Sequence, residues 1–267
     1  MAVDSPGRTA EDGSPYPDRT RPTFEAEVRA MFTHIAGRYE WFDHLASVGQ
    51  DYLWRPRALW ALDRFRSPGP IRRILDLGCG TGEFQRLAAR HYPSAIVVGG
   101  DFTAAMLRRA HAIGATTRQR ARLEQVRANA QALPFADGSF DLVLNAFVVR
   151  NLSDIDRAFR EMRRVLRPGG VLVTLEIGEP VRPLLGSLFH AYFDHVVPWM
   201  GRSVRSAGPY RYLPESLRSL PPRAELLARM RSAGFGRTRA EPQSMGIVTT
   251  FLAEAGAGVP PDGHPRG

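Results

Sequence analysis

The sequence predicts an α/β protein: a doubly wound, mostly parallel sheet of seven strands that ends in an antiparallel hairpin and is preceded by helices. Three observations carry this. Short β-rich runs alternate with helical patterns between residues 71 and 177, which is the pattern of a parallel sheet covered by helices on both faces. A glycine-rich loop separates the first run from the helix after it. The last two runs follow one another with no helix between them, as antiparallel neighbours do.

Residues 1–23 are rich in Pro, Gly, Asp, Arg and Ser and lack apolar periodicity, so they read as a flexible tail, as do residues 254–267. One domain is expected over residues 24–253. It opens with a helical segment (24–66), in which Phe24, Val28, Met31, Phe32 and Ile35 recur at three- and four-residue steps. Ser67-Pro68-Gly69-Pro70 breaks it.

Strands are expected at Ile71–Leu77, Ala95–Gly99, Leu123–Val126, Phe140–Ala146 and Val171–Ile177, with helices near 82–91, 103–112 and 153–166. Asp137-Gly138 and Arg167-Pro168-Gly169-Gly170 read as turns, and Asp141 as a residue that caps or orients its strand. Residues 180–220, with an aromatic stretch over Arg182–Trp199, are expected to cover the active site. A helix near 222–233 precedes two runs, 237–241 and 246–252, separated by Pro242-Gln243-Ser244.

The composition narrows the setting. The chain has 267 residues, a formal charge of +9 and no lysine, so arginine supplies all its basic side chains. Arginine suits carboxylates, phosphates and lipid headgroups. The densest run, Arg108-Arg109 through Arg118, Arg120 and Arg122, reads as a solvated face. No stretch approaches the ~18 apolar residues of a membrane span, and the N-terminus lacks a secretory core. Cys79 stands alone, so no internal disulfide forms, and a cytoplasmic protein is expected.

Chemistry concentrates at Asp76-Leu77-Gly78-Cys79-Gly80-Thr81-Gly82, between strand and helix. Glycines there admit a tight turn and let a ligand approach the backbone, and the helix N-terminus presents free N–H groups. Asp101 closes the second strand, 23 residues after Gly78, where a carboxylate can accept both hydroxyls of a ribose. The dinucleotide fingerprint fails at Glu83, where its third glycine belongs, which disfavours an oxidoreductase; a phosphate-binding P-loop would need a lysine. The loop resembles motif I of the class I S-adenosylmethionine (SAM)-dependent methyltransferases, which implies a Rossmann-like fold. The resemblance makes Asp76, Gly78, Gly80, Thr81, Gly82 and Asp101 candidate cofactor-binding residues, joined by Asn129 and Ala130 in the loop after the third strand.

Four further segments resemble the ubiquinone/menaquinone biosynthesis C-methyltransferase family. They are Phe32–Tyr39 continuing to Leu45–Gly49 and Trp54; Phe147-Val148-Val149-Arg150-Asn151; His195-Val196-Val197-Pro198; and Tyr210–Ser216 with Gly246-Ile247-Val248. The sequence departs from the family at Val148, usually Gly; at Ala146, usually a small hydroxyl residue; and at Glu40 and Asp43, usually Asp and Asn.

The resemblance implies methylation of a ring carbon in a reduced quinone, with Arg150, His195 and Tyr212 as candidate catalytic residues and Glu176 as another candidate base. Arginine is not expected to act as the base, because it does not deprotonate. Leu184–Trp199 could line a groove for a prenyl tail, and peripheral attachment to a membrane is compatible with the charge. Two other readings stand beside this one. The first is a methyltransferase of a soluble phenolic or polyketide metabolite. The second is a basic nucleic-acid-binding protein on a vestigial fold, although Asn145-Ala146-Phe147-Val148 lacks the prolines of base N-methyltransferases. No metal is expected.

Overall fold

The computed structural model describes residue 19 and residues 22–35, 50–178 and 220–256. Two helices, α1 (Phe24–Ile35) and α2 (Asp51–Phe65), precede the sheet. Strand β1 (Arg73–Leu77), helix α3 (Glu83–His91), strand β2 (Ile96–Asp101), helix α4 (Ala104–Ala115) and strand β3 (Leu123–Arg127) follow. Then come β4 (Phe140–Ala146), α5 (Ile155–Val165), β5 (Leu166–Ile177), α6 (Arg223–Ser232), β6 (Phe235–Gln243) and β7 (Val248–Ala255).

The seven strands form one sheet in the order β3-β2-β1-β4-β5-β7-β6. Strands β1 to β5 run parallel, and β7 pairs antiparallel with both β5 and β6. The order reverses between β1 and β4. In an open α/β sheet that switch point leaves a crevice beyond the carboxyl ends of the two strands. Alternation along β1 shows why the strand is central: Ile74 packs on one face with Leu59, Leu62, Phe84 and Ala88, while Leu75 and Leu77 pack on the other with Phe159, Met162 and Leu226. Burying Leu59 or Leu62 contributes about 2 kcal/mol, and this anchors α2 to the sheet.

Several expectations are refined. The helical segment 24–66 contains two separate helices, with residues 36–49 outside the described part. Strand β7 runs to Ala255, two residues into the expected tail. Residues 1–18 and 257–267 lie outside the described part, as does nearly all of the expected cover at 180–220. Pro242 belongs to β6, paired with Thr249, rather than to the turn. Strand β6 is an edge strand, where proline can sit in a sheet without removing a ladder bond. Arg167–Gly170, expected as a turn, belong to β5, which starts five residues earlier than expected; there they bulge the β4–β5 register, since Leu166 pairs with Phe140 and Val171 with Leu142.

Asp141 ties strands together, as expected: Oδ2 accepts the N–H groups of Arg72 and Arg73 at 2.7 and 2.8 Å, and Oδ1 pairs with Arg167 at 2.6 Å. The basic run is not solvated throughout. Arg122 donates to the carbonyl oxygens of Ala89, Tyr92 and Ala95, closing the end of α3. Ala89 O lies in the last turn of the helix, where carbonyls lack a helical partner.

Candidate functional site

The glycine loop is fastened to the neighbouring strand by its own backbone. The N–H groups of Gly78 and Cys79 donate to Gly100 O at 2.7 and 3.1 Å. Gly78, Gly80 and Gly82 have φ of +68°, +54° and +82°, the left-handed region that an L side chain disfavours by about 1–2 kcal/mol. Gly82 then caps α3. Behind the loop, the buried Gln85 side chain donates to Val97 O and Glu124 O, fixing α3 across β2 and β3.

Asp101, at the tip of β2, closes the loop from the other side. Oδ2 accepts Gly80 N–H at 3.0 Å and Oδ1 accepts Thr103 N–H at 2.8 Å. Burial raises its pKa, while those two backbone donors pull it down. Each carboxylate oxygen retains further acceptor capacity.

Asp76 lies inside β1, 1% exposed, with Oδ2 lacking any hydrogen-bond partner. Burial raises its pKa to about 7, opposed first by the charge of Arg55. Arg55 comes from α2, is 6% exposed, and pairs with Glu83 Oε2 at 3.1 Å. The glutamate that breaks the dinucleotide pattern is therefore the counter-ion of a buried arginine.

A cleft partly open to solvent lies over the loop. Gly78, Gly80, Asp101, Asn129 and Ala130 line it together, while Asp76, Thr81 and Gly82 do not. Thr81 is buried, and its carbonyl accepts from Arg86 at 2.6 Å.

The Asn129 loop is positioned by Arg164, which donates to Leu133 O, Phe135 O and Asp137 and pairs with Glu161. Glu161 in turn accepts Leu133 N–H at 2.7 Å. Asn129 Oδ1 accepts Gln131 N–H, and its Nδ2 donates to Glu25 at 3.4 Å.

The sequence reading missed several lining residues. Glu25 and Phe32 come from α1, Phe102 and Met106 from the end of β2 and α4, and Gln131 from the β3 loop. Glu25 holds Gln131 Nε2 at 2.6 Å and Ser153 Oγ at 2.7 Å, which docks α1 against the cleft. The periodicity of α1 announced a buried face, but no local pattern says which loop that face meets.

The opposite wall is the turn after β4. Phe147 has φ +62°, a conformation costly for a bulky side chain. Its ring lies 5.7 Å from the guanidinium of Arg55, 5.5 Å from that of Arg150 and 6.0 Å from the Trp54 ring. Val148 packs a γ-methyl directly against Gly78.

Arg150 sits in this turn, 8% exposed, and is not among the lining residues. Its Nη1 is 4.0 Å from Glu176 Oε2, and neither Nε nor Nη1 has a hydrogen-bond partner. Glu176 is 1% exposed, and its Oε1 accepts Val149 N–H at 2.6 Å. Burial lifts its pKa to about 7, with Arg150 opposing. His195 and Tyr212, like the stretch 184–199, lie outside the described residues. Among the described residues no cluster of metal-binding side chains occurs, and no helix is long and apolar enough to cross a membrane.

Comparison with known proteins gives a consistent result. Residues 21–254 match the model of the ubiE/COQ5 methyltransferase family. The chain is 40% identical over 229 residues to a demethylmenaquinone methyltransferase of Thermus thermophilus, covering 84% of this chain and 99% of that protein. It is 36% identical over 225 residues to the ubiquinone/menaquinone biosynthesis C-methyltransferase UbiE of Syntrophotalea carbinolica, covering 84% and 92%. Among solved structures, a SAM-dependent methyltransferase from Aquifex aeolicus superposes with a TM-score of 0.54 at 17% identity, covering 74% of this chain and 88% of that one. This last likeness shows the fold.

Proposed function

The chain belongs to the ubiE/COQ5 methyltransferase family, and from that premise we propose that it is a SAM-dependent C-methyltransferase acting on a ring carbon of a reduced quinone precursor. The acceptor is a demethylmenaquinol or a polyprenyl benzoquinol, and the names of its relatives in Thermus and Deinococcus favour the former. SAM, when bound, supplies a methyl group activated by its positive sulfonium.

The observation that carries this reading is the pairing of two carboxylates around the glycine loop. Asp101 lines the cleft at the tip of β2 with acceptor capacity to spare, and we assign it the ribose hydroxyls. Asp76 has a buried oxygen without a partner. A buried polar atom in that state calls for an explanation, and an amino-acid ammonium held through Asp76 supplies one. Gly78 and Gly80 let the ligand approach the backbone. Phe102, Met106 and Ala130 offer apolar walls, and Asn129 and Gln131 offer polar edges, suited to an adenine ring.

On the acceptor side we assign Arg150 the stabilisation of the ring oxygen, because its unpartnered donors can hold a phenolate or a water. In-line attack on the methyl group demands alignment above all. The ring proton must then leave, and we assign its acceptance to Glu176, which stands beside Arg150 with one carboxylate oxygen free of any hydrogen bond. His195 and Tyr212 remain proposed partners in this step. A prenylated acceptor would also bring the protein to the surface of a membrane.

The test is incubation with labelled SAM and chemically reduced demethylmenaquinone, which should transfer label to the ring. Binding of SAM without transfer to any quinol would refute the acceptor. Asp101→Ala should weaken SAM binding by at least tenfold in calorimetry, the order expected for loss of a charged hydrogen-bond acceptor. Unchanged affinity would mean the cofactor site is misplaced.

A further inference from the structure

One face of α2 has no role in the cleft beside it. Leu53, Arg57, Trp60 and Arg64 are spaced four, three and four residues apart, which places them on one side of the helix. The other side, with Ala58, Leu59, Ala61, Leu62 and Phe65, is buried in the core. Two large apolar side chains on this face are strongly exposed, Leu53 (50%) and Trp60 (57%), and Met245 (63%) stands in the turn beside it. Isolated exposed apolar residues need no explanation, but a contiguous group does.

Met245 joins the face because the β6–β7 turn is tied to α2. Trp54 Nε1 donates to Ser244 Oγ at 2.8 Å, and that hydroxyl donates to Gln50 Oε1 at 2.8 Å. A groove between α2 and the turn is lined by Arg57, Trp60, Arg64, Pro242, Gln243 and Ser244. Met245 is held at φ +59° beside it, a strained conformation for a residue whose side chain then projects into water.

The charge of the face is positive. Arg57 has no ion-pair or hydrogen-bond partner among the described residues. Glu241, on the groove wall, is engaged by Arg64 and Arg239 at 3.1 Å each. The chain as a whole carries +9.

The face also lies at the edge of the sheet where the cleft opens. Val248, just after the turn, pairs with Ile177, the last residue of β5, so the turn stands beyond the carboxyl end of that strand. Through Trp54 and Arg55 the same helix touches Phe147, in the wall of the cleft.

We infer that the outer face of α2 and the Met245 turn dock on an anionic lipid surface. Leu53, Trp60 and Met245 enter the boundary between headgroups and acyl chains, where aromatic and apolar side chains of surface-bound proteins reside. Arg57 and Arg64 meet the lipid phosphates. The inference deepens the proposed function, on which it rests only for its purpose: a prenylated acceptor lives in the bilayer, and this face sets the cleft beside it. Nucleic acid fits less well, because phosphate contacts need the arginines but give Leu53 and Met245 nothing to bury in.

The test uses the full chain, without SAM or acceptor, sedimented with vesicles of phosphatidylcholine alone or mixed with phosphatidylglycerol. The wild type should partition onto the mixed vesicles. Trp60→Ala combined with Met245→Ser should cut that partition at least tenfold, and Arg57→Gln or Arg64→Gln about fivefold each, given the worth of one basic residue near a charged bilayer. Two results would overturn the inference: variants that partition like the wild type, or a wild type that stays in the supernatant with both vesicles, including one that instead captures duplex DNA or a protein partner. Methylation of a short-tailed, water-soluble quinol without lipid should be unaffected by Trp60→Ala/Met245→Ser, so failure of the reaction and failure of docking are told apart.

Discussion

Glu176 clamps the turn that carries Arg150: one carboxylate oxygen accepts Val149 N–H at 2.6 Å and the other lies 4.0 Å from Arg150 Nη1. Strand β5 thus sets the position of a side chain that follows β4. The arrangement is buried, and burial keeps the Glu176 pKa near 7 despite the neighbouring cation.

That pKa makes stability depend on pH. Glu176 is an acid whose folded value, about 7, stands above its ordinary 4.5. Its stabilising share is complete below pH 4.5 and is lost as pH rises through 7, because the native state then holds the extra proton only at the acid end. Denaturant titrations from pH 5 to 8 should show the wild type losing stability more steeply than Glu176→Gln, by no more than about 3 kcal/mol over the range. Parallel curves would rule out protonation of this carboxyl.

Asp76 titrates in the same window, with its pKa raised to about 7 by burial. A ligand ammonium favours the ionised carboxylate, so binding lowers this pKa and affinity should grow as pH rises. Between pH 6 and 7, below the range where the ligand's own ammonium titrates, the gain in SAM affinity should be about fivefold, following the ionised fraction. Asp76→Asn should bind more weakly at pH 8 and lose that gain. A pH profile shared by variant and wild type would place the ammonium elsewhere.

Gly78 and Val148 are coupled by contact, since a Cβ on Gly78 would run into the valine side chain. Gly78→Ala should cost more than the ~1–2 kcal/mol of its left-handed backbone. Adding Val148→Ala should recover the steric part and leave the backbone part, which a double-mutant cycle in urea will separate. Strict additivity of the two substitutions would deny the contact. Val148→Gly alone, the residue usual in the family, should open the wall of the cleft and widen the range of ring substituents accepted.

Much of this protein was determined by its sequence alone. Period and punctuation placed β4 to the residue and the other strands within about three, save for the start of β5, and glycine chemistry located the loop, because these signals act between residues close in the chain. Asp101 was legible for the same reason: a carboxylate at the tip of the strand next to the loop has one neighbourhood in this topology.

The tertiary structure decided everything that depends on which surfaces meet. It brought Glu25 and Phe32 of α1 over the β3 loop, matched Arg55 with Glu83, and set Phe147 between Arg55 and Arg150. It placed Pro242 in a strand because that strand is an edge, and turned Arg122 from a surface charge into a cap. None of these has a local signature. Each is a contact between segments far apart in sequence, selected by burial and by the demand that buried polar groups find partners.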